Sequence, residues 1–455
     1  MKILLIRPPR MKQSVIIGEF MFSEPIGLEM VAAMLQPEHD VTLFDMMADS
    51  ASLQAQLKKI NPQVVGITSL CIDVAGVLSI AREVKEANAN IITLVGGTQA
   101  TLDPEAFFHP AVDHVFQYTT TQNVTRLMNL LEEGDGVPLL EGVLSRCHQY
   151  RQLSGEPTNE YRLPDRSITA HYRHQYSYFG YRPCAIMGTA RGCSKACHFC
   201  LRWRLEGCQE VYFPMEQVQE DILSIEEGTI MIFDNDFLHN PDRVNEICDF
   251  LEEKNIRKNW ICYASVHSIL GDRNAVTRFH RLGLKAVLVG YETFRDDELI
   301  TYNKKTRLED HLACSVFLKD LGLDVWASFM AHPDWTQQDF SQFRRYIRKL
   351  NPEITSISPL TPFPSLPLYK TYQDRLLYKK EEYWAWSFGQ VMIRPSKMSL
   401  RQYYWELLKT NLYVNVVCNS LPYVIRKFGW ASLLRLTKGS VVLTKRYVGL
   451  MLGSR

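Results

Sequence analysis

The 455-residue sequence has no uninterrupted run of about eighteen apolar residues, the length a membrane-spanning helix requires. It has no strong charge of either sign. Its 51 Lys and Arg stand against 50 Asp and Glu, and the net charge of +1 gives no electrostatic argument for nucleic acid. No low-complexity tract or short-period repeat is evident, which excludes solenoid and array architectures. Met1–Arg7 is too short for a secretory leader and runs into Pro8-Pro9. Nor do the cysteines form a paired framework. Their number, 11, is odd, and most stand singly in apolar stretches, as Cys71, Cys248, Cys262 and Cys314 do. That usage is expected of a reduced, cytoplasmic protein with buried thiols. The length allows two or three domains with sizeable cores.

Against this scatter, one stretch concentrates thiols: Arg191-Gly-Cys-Ser-Lys-Ala-Cys-His-Phe-Cys200. Cys193, Cys197 and Cys200 have C-x3-C-x2-C spacing. Three thiolates on one tight loop can hold three irons of a four-iron four-sulfur cube, leaving the fourth iron open to a small molecule. Gly192, lacking a Cβ, is expected to let the backbone pass close to the cluster. A zinc site remains an alternative, with His198 or Cys208 as fourth ligand.

Apolar runs alternate with helical patterns on both sides of this loop. Residues 2–6, 41–44, 64–68, 91–95 and 112–116 read as strands, with helices near 25–35, 52–60 and 77–87 between them. That order predicts a doubly wound parallel sheet with ligands beyond the carboxyl ends of its strands. Thr68 and Ser69 end the third strand, and Gly96 and Gly97 end the fourth, where a ligand could approach the backbone. From 184 to 358 six further strands alternate with helices, which predicts a partial (β/α)6 barrel with chemistry at the strand ends. Asp234-Asn-Asp236 follows the second of these strands, Gly290-Tyr-Glu292 the fourth and Ser328 the fifth. The predicted division is 1–131 for the first domain, 132–182 for a linker, 183–369 for the barrel and 370–455 for a helical C-terminal region. Tyr172, Tyr176, Tyr178 and Tyr181 in the linker either cover a ligand or pack. Arg202, Trp203 and Arg204 either meet an anionic group or lie solvated.

The cysteine spacing, with Phe199 just before the last thiol, resembles the radical S-adenosylmethionine superfamily. Gly96-Gly-Thr-Gln-Ala-Thr-Leu-Asp-Pro-Glu105 is similar to the cobalamin-binding domain that precedes many of those barrels. The resemblance implies S-adenosylmethionine on the open iron, contacted by Phe199, Asp234, Glu292 and Ser328. It implies cobalamin at Thr68, Ser69, Gly96 and Gly97. Tyr302-Asn-Lys-Lys305 matches an Asn-Lys element of the family and otherwise reads as a solvated charge cluster. The Asp-x-His-x-x-Gly cobalt-ligating signature is absent, since His39 and His109 do not sit in that frame. Gln117–Gln122 replaces a Gly-Glu-Gly-Glu-like turn. The remaining alternative for this domain is a Rossmann-like fold that binds nothing.

The resemblance implies a cobalamin-dependent radical methyltransferase acting on an unactivated carbon of a small-molecule or lipid-like substrate, supplied with electrons by an external flavodoxin- or ferredoxin-like donor. Met21–Met30 and the Pro359–Tyr369 loop resemble hopanoid C-3 methylases, and the group includes ring-forming enzymes of porphyrin synthesis. Two other readings stay open: a radical cyclase or rearrangement enzyme, and a non-catalytic iron-sulfur or zinc protein. Residues 401–455 carry nine Lys and Arg (401, 409, 426, 427, 435, 438, 445, 446 and 455) against one acid, Glu406, with apolar residues between. This tail reads either as a peripheral membrane contact or as a basic helical cap on the barrel.

Overall fold

The computed structural model describes residues 1–10, 21–134, 136–153, 162–418 and 421–453, Leu421 by its backbone alone. The chain forms two compact units. One comprises Met1–Ser14, Glu24–Gln175 and Lys380–Ser387, and the other Val15–Ser23, Tyr176–Lys379 and Phe388–Arg455. Arg455 and the side chain of Leu421, both counted in the basic apolar tail, lie outside the described residues.

The first unit is a doubly wound α/β sheet. Its strands are β1 (Lys2–Arg7), β2 (Asp40–Asp45), β3 (Val64–Thr68), β4 (Ile92–Gly96), β5 (His114–Phe116) and β6 (Val143–Ser145). Their order is β2-β1-β3-β4-β5-β6, parallel except for the β5–β6 pair. Helices α1 (Ile26–Leu35), α2 (Leu53–Ile60), α3 (Val74–Ala87) and α4 (Thr121–Glu133) connect or follow the strands. Ile3–Arg7 of β1 are all buried, as a central parallel strand covered on both faces requires. The Gln117–Gln122 stretch opens α4. Thr120 Oγ1 accepts the Asn123 N–H at 3.1 Å, and Asn123 Oδ1 accepts the Thr120 N–H at 2.9 Å. Gly134, at φ 75°, ends the helix. Strand β6 arises in a stretch whose sequence reads as linker, and β5 is shorter than its apolar run.

Residues 380–387 join this first unit although they follow the barrel in sequence. Tyr383 packs on the core formed by Leu4, Ile6, Val65, Ile67, Val77 and Ile80. Its hydroxyl donates to Asp103 at 3.0 Å, and Lys380 pairs with the same carboxylate at 3.1 Å.

The second unit holds the six expected strands: β7 (Ala185–Met187), β8 (Thr229–Ile232), β9 (Asn259–Ala264), β10 (Leu284–Glu292), β11 (Asp324–Ala331) and β12 (Ile354–Pro359). All pair in parallel and in chain order. Between them run α5 (Met215–Ser224), α6 (Pro241–Glu253), α7 (Arg273–Arg281), α8 (Leu308–Asp320) and α9 (Gln337–Leu350). Helix α9 starts with a Thr336–Asp339 capping box and buries Phe340, Phe343, Ile347 and Leu350, spaced to share one face. Helices α10 (Leu400–Tyr413) and α11 (Leu421–Met451) complete the unit. The linker tyrosines pack: Tyr172 donates to Asp49 at 3.0 Å, Tyr176 meets Phe22 edge-on, Tyr178 bonds Tyr263, and Tyr181 meets Phe428 edge-on.

Helix α10 is tied to α9 by a buried pair. Arg344 donates to Glu406 and to Thr410, each at 2.9 Å. Arg344→Met leaves the buried Glu406 carboxylate with Lys409, at 3.6 Å, as its one ion-pair partner among the described residues, and is expected to cost about 3 kcal/mol. Urea denaturation of the wild type, the single variant and Arg344→Met/Glu406→Leu measures this. The double variant is expected to recover most of the loss.

Candidate metal and cofactor site

The cysteine loop is shaped by hydrogen bonds from neighbouring strand ends. After β7 the Ala190–Arg191 segment pairs with Val211–Tyr212. The chain then turns at Gly192, φ 85°, where a Cβ would collide with the Gln209 carbonyl. The glycine is therefore required by the protein's own backbone, whatever lies on the thiol side of the loop. Asn235 Nδ2 donates to the Gly192 carbonyl at 2.8 Å, and the Cys193 N–H donates to Gly207 O at 3.1 Å. Ala196 sits in the left-handed region at φ 46°. Asn303 Nδ2 spans that bend, donating to Lys195 O at 3.1 Å and Ala196 O at 3.3 Å. The His198 N–H donates to Tyr302 O at 3.1 Å, and Trp203 Nε1 donates to Cys197 O at 2.9 Å. Arg202 pairs with Glu206 at 3.0 Å.

The three thiols lie within electrostatic reach of one another. Burial pushes Cys197 up to about 11, with the Lys304 ammonium pulling against it and Glu292, Cys200 and Cys193 adding to it. Burial also raises Cys193 and Cys200. Metal must displace these protons, so loading is a proton-releasing reaction. Three soft sulfur donors on a preshaped bend fit an iron-sulfur cube with one iron left without a protein ligand. The ring of His198, one alternative fourth ligand for zinc, has Nδ1 2.9 Å from the Thr301 carbonyl. Cys208, the other, is exposed. Among the described residues no group of three or more His, Cys, Asp or Glu surrounds a single-ion position.

Sequence reasoning missed the main anchor of this loop. Lys195, between the first two cysteines, is ion-paired with buried Asp236 and bonded to Ser265 and Ser268. Burial would raise the Asp236 pKa, but the Lys195 ammonium, the Ser268 hydroxyl and the Ser265 N–H hold it below the usual carboxylate range. Hydroxyls and an acid just beyond β8 and β9 were the available signal, though nothing in the sequence links them to Lys195.

The other predicted barrel residues have specific surroundings. Asp234 accepts the Thr189 N–H at 2.7 Å and the Thr189 hydroxyl at 2.5 Å. Its pKa is raised to about 6 by burial, against those two bonds. Asp234 thus braces the strand that leads into the cysteine loop. Glu292, at φ 69° beside a register shift between β10 and β11, pairs with Lys304 at 2.7 Å. Burial would lower the Lys304 pKa, yet the Glu292 carboxylate holds it above its ordinary value. Within the Asn-Lys element Lys304 is therefore enclosed in an ion pair, while Lys305 is exposed. Phe199 meets Tyr302 edge-on at 5.6 Å and packs on an apolar wall with Met330, Leu360 and Leu368. Ser328 is half-buried and in register with Gly290 and Ser356.

In the first unit, Thr68, Ser69, Gly96 and Gly97 come together beyond β3 and β4. Ser69 Oγ donates to Gly96 O at 2.7 Å. A Cβ on Gly97, φ 95°, would sit 2.7 Å from both Ser69 N and Thr68 Oγ1. The close approach at Gly97 is therefore between two protein loops, while Gly96 has ordinary clearance at 3.7 Å from Phe116. The same sheet edge carries a pair the sequence did not single out. Arg10 donates to Asp73 Oδ2 at 3.1 Å, and Asp73 Oδ1 is buried with no hydrogen-bond partner among the described residues. An orphaned acceptor there fits a ligand rich in amide N–H groups, such as a corrin.

Residues 21–126 match the B12 binding domain family, and residues 187–347 match the radical SAM superfamily. The chain is 25% identical over 416 residues to the hopanoid C-3 methylase of Methylococcus capsulatus, covering 90% of this chain and 79% of that protein. It is 23% identical over 377 residues to the anaerobic magnesium-protoporphyrin IX monomethyl ester cyclase of Rubrivivax gelatinosus, covering 79% of this chain and 67% of that one. Its fold is like that of the cobalamin-dependent S-adenosylmethionine radical enzyme OxsB with aqua-cobalamin and S-adenosylmethionine bound. That likeness has a TM-score of 0.73 at 13% identity, over 99% of this chain and 72% of the other.

Asn303→Ala and Lys195→Gln keep all three cysteines but release the bend that holds them. Each is expected to weaken iron loading about tenfold, as loss of outer-shell partners does. Anaerobic titration with iron and sulfide, followed by iron analysis, measures it. Because loading releases protons, the apparent affinity is expected to rise with pH and fall on acidification.

Proposed function

The chain joins a B12-binding domain to a radical SAM domain and is a radical S-adenosylmethionine enzyme, and from that premise we propose that it transfers a methyl group to an unactivated carbon of a small-molecule, lipid-like substrate. Its cofactors are cobalamin, S-adenosylmethionine and a four-iron four-sulfur cluster, which together supply a carbon-centred radical and a methyl group. The carrying observation is the cysteine loop itself: three thiols on a bend fixed by Asn303, Asn235 and Lys195, a donor set that would leave one cluster corner to a chelating ligand. Likeness to a hopanoid C-3 methylase along 90% of the chain supports methyl transfer and a lipid-like acceptor.

Each named residue has a task in this reading. Cys193, Cys197 and Cys200 hold the cluster. Phe199, Asp234, Glu292 and Ser328 surround S-adenosylmethionine, Asp234 by holding the loop strand through Thr189. An ammonium group presented to Glu292 competes with Lys304 for the same carboxylate, so the buried charge stays compensated on exchange. Thr68, Ser69, Gly96 and Gly97 line the cobalamin site, and Asp73 gives corrin amides an acceptor. An external flavodoxin- or ferredoxin-like protein reduces the cluster. A lipid-like substrate places the enzyme in peripheral contact with a membrane. Among the described residues no helix is long and apolar enough to cross one.

A second reading is ring formation or rearrangement without net methyl transfer, favoured by the likeness to a cyclase over 79% of the chain. Anaerobic reconstitution with and without cobalamin, methyl-deuterated S-adenosylmethionine and a bacterial lipid extract separates the two. Methyl transfer predicts deoxyadenosine and deuterated lipid only when cobalamin is present. Deoxyadenosine with product free of deuterium supports the cyclase. Zinc as the bound metal, with no deoxyadenosine, contradicts both.

A further inference from the structure

We propose that the C-terminal helices of the second unit form an amphipathic docking surface for an anionic lipid bilayer, with α11 lying in the plane of the headgroups. Helix α11 bends at Gly429, φ 76° and ψ 171°, so a fresh helical segment begins at Trp430. From there Trp430, Leu434, Val441, Val448 and Leu452 recur at spacings of four, seven, seven and four residues. At about 100° per residue these fall within a narrow stripe on one side of the helix, about 33 Å long. The stripe faces away from the protein: Trp430 is 67% exposed, Leu434 68% and Leu452 72%. Tyr447, turned away from the stripe, anchors this segment, buried and with its hydroxyl donating to Gly389 O at 3.0 Å, and Val424 is buried in the segment before the bend.

Helix α10 and the turn after it repeat the arrangement. Tyr403, Tyr404, Leu407 and Leu408 point inward, while Trp405 is 53% and Val416 71% exposed. The basic-cap and membrane-contact readings of this tail therefore describe its two faces.

Charge identifies the occupant. Lys438 and Lys445 are exposed and border the α11 stripe. The sole acid of residues 401–455, Glu406, is buried and held by Arg344. The outward face that residues 422–453 contribute is thus apolar and cationic with no carboxylate of its own, and Lys427, before the bend, pairs with Asp324 of β11. Exposed apolar stripes bordered by lysines suit a lipid interface, where the stems lie along apolar surface and the ammonium groups reach phosphates. Tryptophan favours that same boundary. The surface deepens the lipid-like-substrate reading and rests on it for its purpose, while the binding itself does not depend on methyl transfer.

Flotation of the full, cluster-loaded chain with vesicles tests this. Phosphatidylcholine vesicles with and without phosphatidylglycerol, at low and high salt, are compared for wild type, Trp430→Glu/Leu434→Glu and Lys438→Glu/Lys445→Glu. The wild type is expected to bind anionic vesicles, more weakly in high salt and on neutral lipid. Each double variant is expected to bind at least tenfold less, with unchanged iron content, circular dichroism and deoxyadenosine formation in the absence of substrate. Should the first variant misfold, the lysine pair and the salt dependence of the wild type still decide. Absence of wild-type flotation, flotation untouched by both variants, or a dimer formed through this face overturns the proposal. Vesicle binding without methyl transfer upholds the surface and counts against the chemistry. Methyl transfer to detergent-dispersed lipid without vesicle binding does the reverse.

Discussion

The carboxamide of Asn303 closes the bend on which the thiols stand, and the rest of the second unit is arranged around that contact. A left-handed Ala196 turns the chain between the first two cysteines, and its carbonyl and that of Lys195 would be left poorly paired without the Asn303 amide. The residues on either side of Asn303 act on the same loop. Tyr302 accepts the His198 N–H and sets its ring against Phe199, while Lys304 lowers the electrostatic cost of thiolates near Cys197. Lys195 ties the loop from the opposite side through Asp236. The bend on which the thiols stand is therefore braced by hydrogen bonds from the protein itself, which lowers the ordering cost of cluster binding.

Buried charge is handled similarly throughout the second unit. Lys195–Asp236, Lys304–Glu292 and Arg344–Glu406 are each enclosed pairs. The first two converge on the cysteine loop, and the third seats the C-terminal helices. Such pairs add little net stability, but loss of one partner is costly, which favours a single arrangement of the loops they join. The first unit relies more on close backbone approach, with Gly97 against Ser69 and Thr68 at the edge where the strands open.

Much of this was legible in the sequence because it is local. Two-faced apolar strands, amphipathic helices and the spacing of Cys193, Cys197 and Cys200 announce themselves within short windows. What escaped is long-range. The pairing of Lys195 with Asp236 joins loops 41 residues apart. Residues 380–387 enter the first unit through Tyr383 and Lys380 on Asp103, nearly 280 residues away. Strand β6 has three residues, too few for any period to show. Lys304 reads equally as part of a family element or as one of two solvated lysines until Glu292 is seen beside it. Gly192 and Gly97 stand out in the sequence as places of close approach, and the structure adds that the protein's own atoms, Gln209 O at one and Ser69 N and Thr68 Oγ1 at the other, lie where a Cβ would sit.

The central claim is that three thiols on a preformed bend hold a four-iron cube and leave one iron to S-adenosylmethionine. Electron paramagnetic resonance of the reconstituted, reduced protein tests it most directly. The account predicts a four-iron signal that shifts on addition of S-adenosylmethionine and disappears in Cys193→Ala/Cys197→Ala/Cys200→Ala. A cluster signal indifferent to S-adenosylmethionine, or one that survives loss of all three cysteines, would contradict it.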